Sequence, residues 1–151
     1  MATNIIAKNM KDSIIDILSI IVLAAVLVLN ILFRNQFNGG IFLFIISILI
    51  IFFGIIIWII GKATLGEYFT TSVHPKGLVT KGIYSKFKHP MYYSGMIIYL
   101  GVALLLKSWV GLGLTIAIII PMLFYFAKKE EGLLYERYRE KYSAYKEKTI
   151  I

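Results

Sequence analysis

Four long apolar runs, residues 14–33, 41–60, 90–107 and 109–127, are separated by short polar breaks, and none alternates as a half-buried strand would. At about 1.5 Å per helical residue, the second run matches a hydrocarbon core of about 30 Å. The first carries Asp16 and Asn30 near its ends, where both are expected at the membrane interfaces. It continues into bulky Ile31-Leu32-Phe33 with no small-residue cleavage site, so it reads as a span and not as a signal peptide. The third is shorter. Counted from Pro90, a favourable first helical residue, to Lys107, it rises about 27 Å and can just cross. The pattern predicts an all-α integral membrane protein with four transmembrane helices in two hairpins. The hairpins are closed by turns at 34–40 and 107–108, joined by a cytoplasmic loop and followed by a C-terminal helical extension.

The 151 residues are 59% hydrophobic and 16% charged, with a mean hydropathy of +0.81, which excludes a water-soluble domain and a disordered chain. No Pro-, Gly- or Ser-rich linker divides residues 1–151, so a single membrane domain is expected. There is no cysteine, hence no disulfide, thiolate or cysteine nucleophile. A net charge of +8 on a soluble surface would point to nucleic acid; on this chain the bilayer is the expected partner and nucleic acid is not. Lys8 and Lys11, five lysines between residues 61 and 89, and seven basic residues after Ala127 fall on one side. Arg34 and Lys107 alone fall on the other, which predicts both termini and the polar segments to be cytoplasmic.

Two polar segments exceed what a membrane anchor needs. Residues 61–89 carry Glu67, His74, Gly77, Gly82 and Tyr84, and run through Lys88-His89-Pro90-Met91-Tyr92-Tyr93-Ser94-Gly95 into the third span. Lys128-Lys129-Glu130-Glu131 stands at the exit of the fourth. One outward and one inward helix separate them, so both are expected at one membrane depth. An acid pair beside a helix N-terminus suits a zwitterion: the carboxylates take a cationic or hydroxyl group, and the free N–H groups of Met91, Tyr92 and Tyr93 take a carboxylate. Tyr84, Tyr92 and Tyr93 offer aromatic faces to a purine or a sulfonium, and Gly95 permits close backbone approach. Residues 130–148 read as a helix continuing the fourth span, with Leu133, Leu134, Tyr138, Tyr142 and Tyr145 leaning to one side.

Other motifs fail. Gly61-Lys62-Ala63-Thr64 lacks the first glycine of a phosphate loop, with Ile56 in its place, and Ala63 stands where a hydroxyl should hold magnesium. His74 and His89 are too few for a zinc site, and no internal repeat is visible.

The string Gly77-Leu78-Val79-Thr80-Lys81-Gly82-Ile83-Tyr84, then Lys88 to Gly95, then Glu130-Glu131 with Leu134, Tyr138, Tyr142 and Tyr145, resembles the isoprenylcysteine carboxyl methyltransferase family. Integral-membrane phospholipid methyltransferases are similar over the same carboxy-terminal half. The resemblance covers roughly residues 61–148. It implies an S-adenosylmethionine-dependent methyltransferase whose acceptor enters from the bilayer: a prenylcysteine carboxylate, a phospholipid amine or another small apolar molecule. It further implies a cofactor site built from Val79, Tyr84, Lys88, His89, Pro90, Tyr92, Gly95 and Glu130, catalytic roles for Glu130 and Glu131, and no metal. Lys88 stands where the family usually has Arg, which keeps the charge and loses the bidentate fork, and Arg139 stands where Gly is common.

Two other readings remain open. The tyrosines belong equally to an aromatic belt, and the acids to a solvated patch balancing Lys128 and Lys129, as in a scaffold that binds anionic lipid through its basic face. Membrane sterol reductases are similar in their carboxy-terminal region and use a nicotinamide cofactor, but no phosphate-binding fingerprint for one is visible.

Overall fold

The computed structural model describes residues 2–70 and 74–150, with side chains from residue 13 onward, so Lys8 and Lys11 lie outside the described side chains. Among the described residues there is no strand. The fold consists of α1 (Ala2–Leu32), α2 (Ile41–Leu65), α3 (Pro90–Leu105), α4 (Trp109–Tyr138, continuous through a π-helical turn at Thr115–Ile119) and α5 (Glu140–Lys148). Three stretches are long and apolar enough to cross a membrane: Ser13–Leu32, Ile41–Tyr68 and Trp109–Tyr138.

Several boundaries differ from expectation. Helix α1 begins at Ala2, well before residue 14, and α2 runs on to Leu65, because adding a turn to an existing helix satisfies another backbone pair at little cost. Helix α3 stops at Leu105, two residues short of Lys107, whose φ of +52° ends the helix. Its 16 residues rise only about 24 Å. The tail does not continue α4 unbroken. The chain turns at Arg139, φ +41° and ψ −111°, and α5 folds back so that Tyr142 and Tyr145 bury against Leu134.

Packing reverses the size order of a water-soluble core. Phe42, Leu49, Phe52 and Phe53 of α2 are more than half exposed, whereas the fully buried side chains include Ser47, Ser94, Ser108, Asn30 and Thr115. Lipid solvates large apolar groups as well as a core does, so helices gain most where small residues let them approach. Ser47, Gly54 and Gly61 recur every seven residues along α2 and are all buried. A Cβ on Gly54 would stand 2.7 Å from Ile98 Cγ1 of α3, and one on Gly61 would stand 2.9 Å from Met91 Cγ. On α3, Gly101 meets Ile51 in the same way, so α2 and α3 run antiparallel in close contact. Val26, Met96, Ile119 and Leu123 join α1, α3 and α4 in a small apolar core.

At one end the two short turns bond to each other. Asn35 N donates to Leu106 O and Gln36 N to Lys107 O, both at 2.9 Å, and the Phe37 and Trp109 rings lie 4.7 Å apart. Asn30, two residues from the end of α1, is fully buried beside Gly111, and its Nδ2 donates to Val26 O at 3.1 Å. An amide can bond back to its own helix, which lets it sit inside the bundle. The opposite end carries the polar loop, the start of α3 and the charged end of α4.

Candidate functional site

His89 is the N-cap of α3 and Pro90 its first residue, as the sequence predicts. The cap is made by backbone alone: His89 O accepts from Tyr92 N at 3.1 Å and from Tyr93 N at 3.2 Å. This corrects an expectation. Two of the three N–H groups assigned to a ligand carboxylate are engaged, because the first turn closes on the cap's own carbonyl. Met91 N has no hydrogen bond among the described residues.

The imidazole, not needed for capping, crosses to α4. Nε2 lies 3.2 Å from Glu131 Oε1 and Nδ1 lies 3.8 Å from Glu130 Oε2. Only 5% of His89 is exposed, and burial holds its pKa below the ordinary 6.5 against the upward pull of the Glu131 carboxylate. The ring is therefore neutral near pH 7, with Nε2–H donating to Glu131 and the Nδ1 lone pair turned toward Glu130.

The two glutamates are neighbours on α4, about 100° apart around its axis, and they face different surroundings. Glu131 gathers Lys88 Nζ at 3.3 Å, His89, and Lys146 Nζ at 3.4 Å, tying the starts of α3 and α5 to α4. Glu130 stands beside the Tyr92 phenol and faces a cavity of about 370 Å³. That volume suits one nucleoside-sized molecule.

All four long helices line the cavity. Asp16 and Leu23 come from α1, Trp58 from α2, His89 and Tyr92 from α3, and Leu123, Phe126 and Glu130 from α4, while the loop adds Tyr84 and Lys88. Tyr84 is buried; its carbonyl accepts the Tyr145 hydroxyl at 2.7 Å, which ties α5 over the loop. Burial and the nearby Glu130 charge push the Tyr84 phenol above its ordinary pKa, so it is a neutral donor.

Of the residues singled out from the sequence, Tyr84, Lys88, His89, Tyr92 and Glu130 meet at this cavity. Pro90 is buried behind it near Gly61, and Glu131 stands behind His89. Val79 is buried in the loop, and a Cβ on Gly95 would meet Leu123 at 3.4 Å; neither lines the cavity. Glu67 is exposed. Asp16 and Trp58 do line it and were not anticipated as site residues. The one sequence signal for Asp16 was an acid inside an apolar run, while Trp58 was hidden among isoleucines.

A family model for phospholipid methyltransferase matches residues 35–141. No individual curated protein matches the chain. The matched segment holds α2, α3 and α4 and every cavity residue named above except those of α1. It is well over half of the 151 residues, and the chain belongs to the phospholipid methyltransferase family, the integral-membrane methyltransferases related to the isoprenylcysteine carboxyl methyltransferases.

Proposed function

We propose that the protein transfers a methyl group from S-adenosylmethionine to a lipophilic acceptor drawn from the bilayer. In this reading all four long helices cross the membrane as two hairpins, and both termini and the cavity face the cytoplasm. The observation that carries the proposal is the meeting of His89, Tyr92 and Glu130 at a cavity walled by α1 to α4. A lipid-binding scaffold has no use for a carboxylate facing such a cavity.

The residues present suit the cofactor. Glu130 offers an anion to its amine or ribose hydroxyls, Lys88 a cation to its carboxylate, and Tyr84 and Tyr92 aromatic faces to its base or sulfonium. When bound, S-adenosylmethionine supplies an electrophilic methyl group that needs no metal to activate it. Because the sulfonium charge disappears in the transition state, a carboxylate held tightly on sulfur would favour the ground state. Glu130 is therefore assigned to the amine, the ribose or the acceptor. The protein's own contribution is alignment and exclusion of water, for which the buried ring of His89 is suited. Glu131 holds His89 and Lys88 in place. Helix α3, short for a full span, sets the cavity slightly inside the bilayer surface, within reach of a lipid headgroup.

Calorimetric titration of S-adenosylmethionine into the detergent-solubilised protein tests the reading. Saturable binding is expected, weakened at least tenfold by Glu130→Ala and by His89→Ala. Gly113→Ala should leave it unchanged, since nothing lies within 4 Å of that Cβ. Full affinity in both site variants, with folding intact, would overturn the proposal.

A further inference from the structure

We propose that the groove between α5 and the loop, on the opposite side of the Tyr84–Tyr145 contact from the cavity, is a second ligand site that takes a phosphate group. The groove has a volume of about 650 Å³. It shares no lining residue with the cavity, so it binds its ligand whether or not the cavity carries methyl transfer.

The spacing along α5 builds one wall. Lys141 and Lys148 are two helical turns apart, a rise of about 10.5 Å, so they share a face, with Ala144 between them. That small side chain leaves open the space that both ammonium groups can reach. Glu140 and Glu147 each fall about 100° around the helix from the neighbouring lysine and do not line the groove. The facing wall adds two hydroxyls, Thr80 from the loop and Tyr138 from the end of α4.

The lining carries two positive charges and no acid. Elsewhere at this end the cations are used internally: Lys88 and Lys146 pair with Glu131, and Arg137 donates to the carbonyls of Pro75 and Lys76 at 3.5 and 3.3 Å. Among the described residues, the side chains of Lys141, Lys148 and Thr80 have no ion pair or hydrogen bond. Two ammonium point charges beside hydroxyl donors suit an anion with several oxygens and more than one charge. That is a phosphate; a carboxylate is better matched by the planar fork of an arginine, which does not line this groove. The 30 residues of Trp109–Tyr138 rise about 45 Å, beyond a hydrocarbon core of about 30 Å. With α4 spanning, Tyr138 and the groove stand among the headgroups, where a lipid phosphate and a soluble phosphate compound both have access.

One contact joins the groove to the cavity. Tyr145 lines the groove and its hydroxyl donates to Tyr84 O at 2.7 Å, while Tyr84 lines the cavity. The carbonyl of Lys86 accepts Ile150 N at 2.9 Å, so the chain beyond α5 meets the same loop at a second point. A phosphate held by Lys141, Lys148 and Thr80 adds a third link between these two elements and steadies residues 78–86 and 140–148 together.

Amide hydrogen exchange of the full chain in neutral detergent reads the binding, with potassium phosphate titrated against potassium chloride at equal ionic strength. Phosphate is expected to slow exchange saturably in both residues 78–86 and residues 140–148, and chloride to leave it unchanged. Replacing both lysines, Lys141→Gln with Lys148→Gln, should weaken the apparent affinity by about tenfold or more through loss of charge-assisted hydrogen bonds. Ala144→Leu, which fills the groove without changing its charge, should weaken it as well. Lys128→Gln removes the same charge from α4 outside the groove and should leave the affinity unchanged. All four positions are exposed, so these variants keep the fold. In phosphatidylcholine nanodiscs, protection produced by added phosphatidic acid identifies a lipid headgroup as the source of the phosphate. An undiminished response to inorganic phosphate in discs that contain phosphatidic acid identifies a soluble one. Protection that never saturates, that follows ionic strength alone, that is confined to one wall of the groove, or that survives in both the double-lysine variant and Ala144→Leu overturns the proposal.

Discussion

The two ends of the helix bundle are built from the same material and closed in opposite ways. At the turn end, two short loops exchange backbone hydrogen bonds, Phe37 stacks near Trp109, and Asn30 fills the space beside Gly111. At the polar end the helices are held by side chains, through Glu131 with Lys88, His89 and Lys146, and through Tyr145 with the carbonyl of Tyr84. Backbone closure leaves little room. Closure by long side chains leaves about 370 Å³ between the helices and allows α5, packed on the loop and the end of α4, to be a separate element. The difference places tight packing at one end and an open cavity at the other.

The largest expected effect that tests this contrast comes from the α2–α3 seam, which runs through both ends. A Cβ on Gly101, near the turn end, would lie 2.7 Å from Ile51 Cγ1 and 3.2 Å from the Ile51 backbone nitrogen. A Cβ on Gly61, below the cavity, would meet Met91 Cγ at 2.9 Å and then nothing closer than 3.8 Å. Methionine can move and backbone cannot. Gly101→Ala should therefore destabilise by about 2 kcal/mol and Gly61→Ala by less than about 1 kcal/mol, measured by unfolding in detergent. Equal losses would mean that the polar end is packed as rigidly as the turn end.

Much of this contrast is legible in the sequence. The out-and-back path from His89 to Glu130 follows from two adjacent apolar runs joined by a two-residue turn, and that alone places the two polar motifs together. Helical phase across a gap is not legible. Whether Glu130 or Glu131 faces the cavity depends on how α4 is rotated against α3, which packing at Leu123 and Met96 decides. The same holds for Asp16: an acid in the first turn of a hydrophobic run reads as interfacial, and that it also lines the cavity depends on how α1 docks through Val26. The capping of α3 was anticipated in position but not in consequence, since the carbonyl of His89 engages two N–H groups that a ligand was expected to use.

A second, smaller effect separates the ends by pH. The folded pKa of His89 lies below 6.5, so the unfolded chain binds the proton more readily. The neutral ring's contribution is present above about pH 6.5 and is lost as pH falls through the folded value. Amide exchange in the first turns of α3 and in α5 should accelerate below pH 6 while the turn end, which has no histidine, holds its protection. In His89→Gln the acid-induced difference between the ends should shrink. Acid sensitivity spread evenly along the helices would contradict the assignment.

The smallest effect concerns left-handed backbone, which both ends contain. At the turn end Asn35 has φ +61°, a conformation asparagine tolerates, and replacing it with glycine should change stability little. At the polar end Arg139 has φ +41° with ψ −111°, a region almost reserved for glycine, and it carries the link between α4 and α5. Its N–H bonds to Tyr135 O at 2.9 Å and its carbonyl accepts Ser143 N at 3.0 Å, so the turn is fixed from both sides and the residue cannot relax. Arg139→Gly should relieve that strain, partly offset by the greater freedom of glycine in the unfolded chain, for a net gain of about 1 kcal/mol. A rise of a few degrees in the detergent melting temperature, with no rise for Asn35→Gly, is the expected outcome. Because α5 is held against α4 and the loop by Lys146 on Glu131 and Tyr145 on Tyr84, a relaxed link should also make its local unfolding rarer, and exchange of the α5 amides should slow with it. A destabilised Arg139→Gly protein would show instead that the arginine side chain, and not the backbone angle, holds α5 in place.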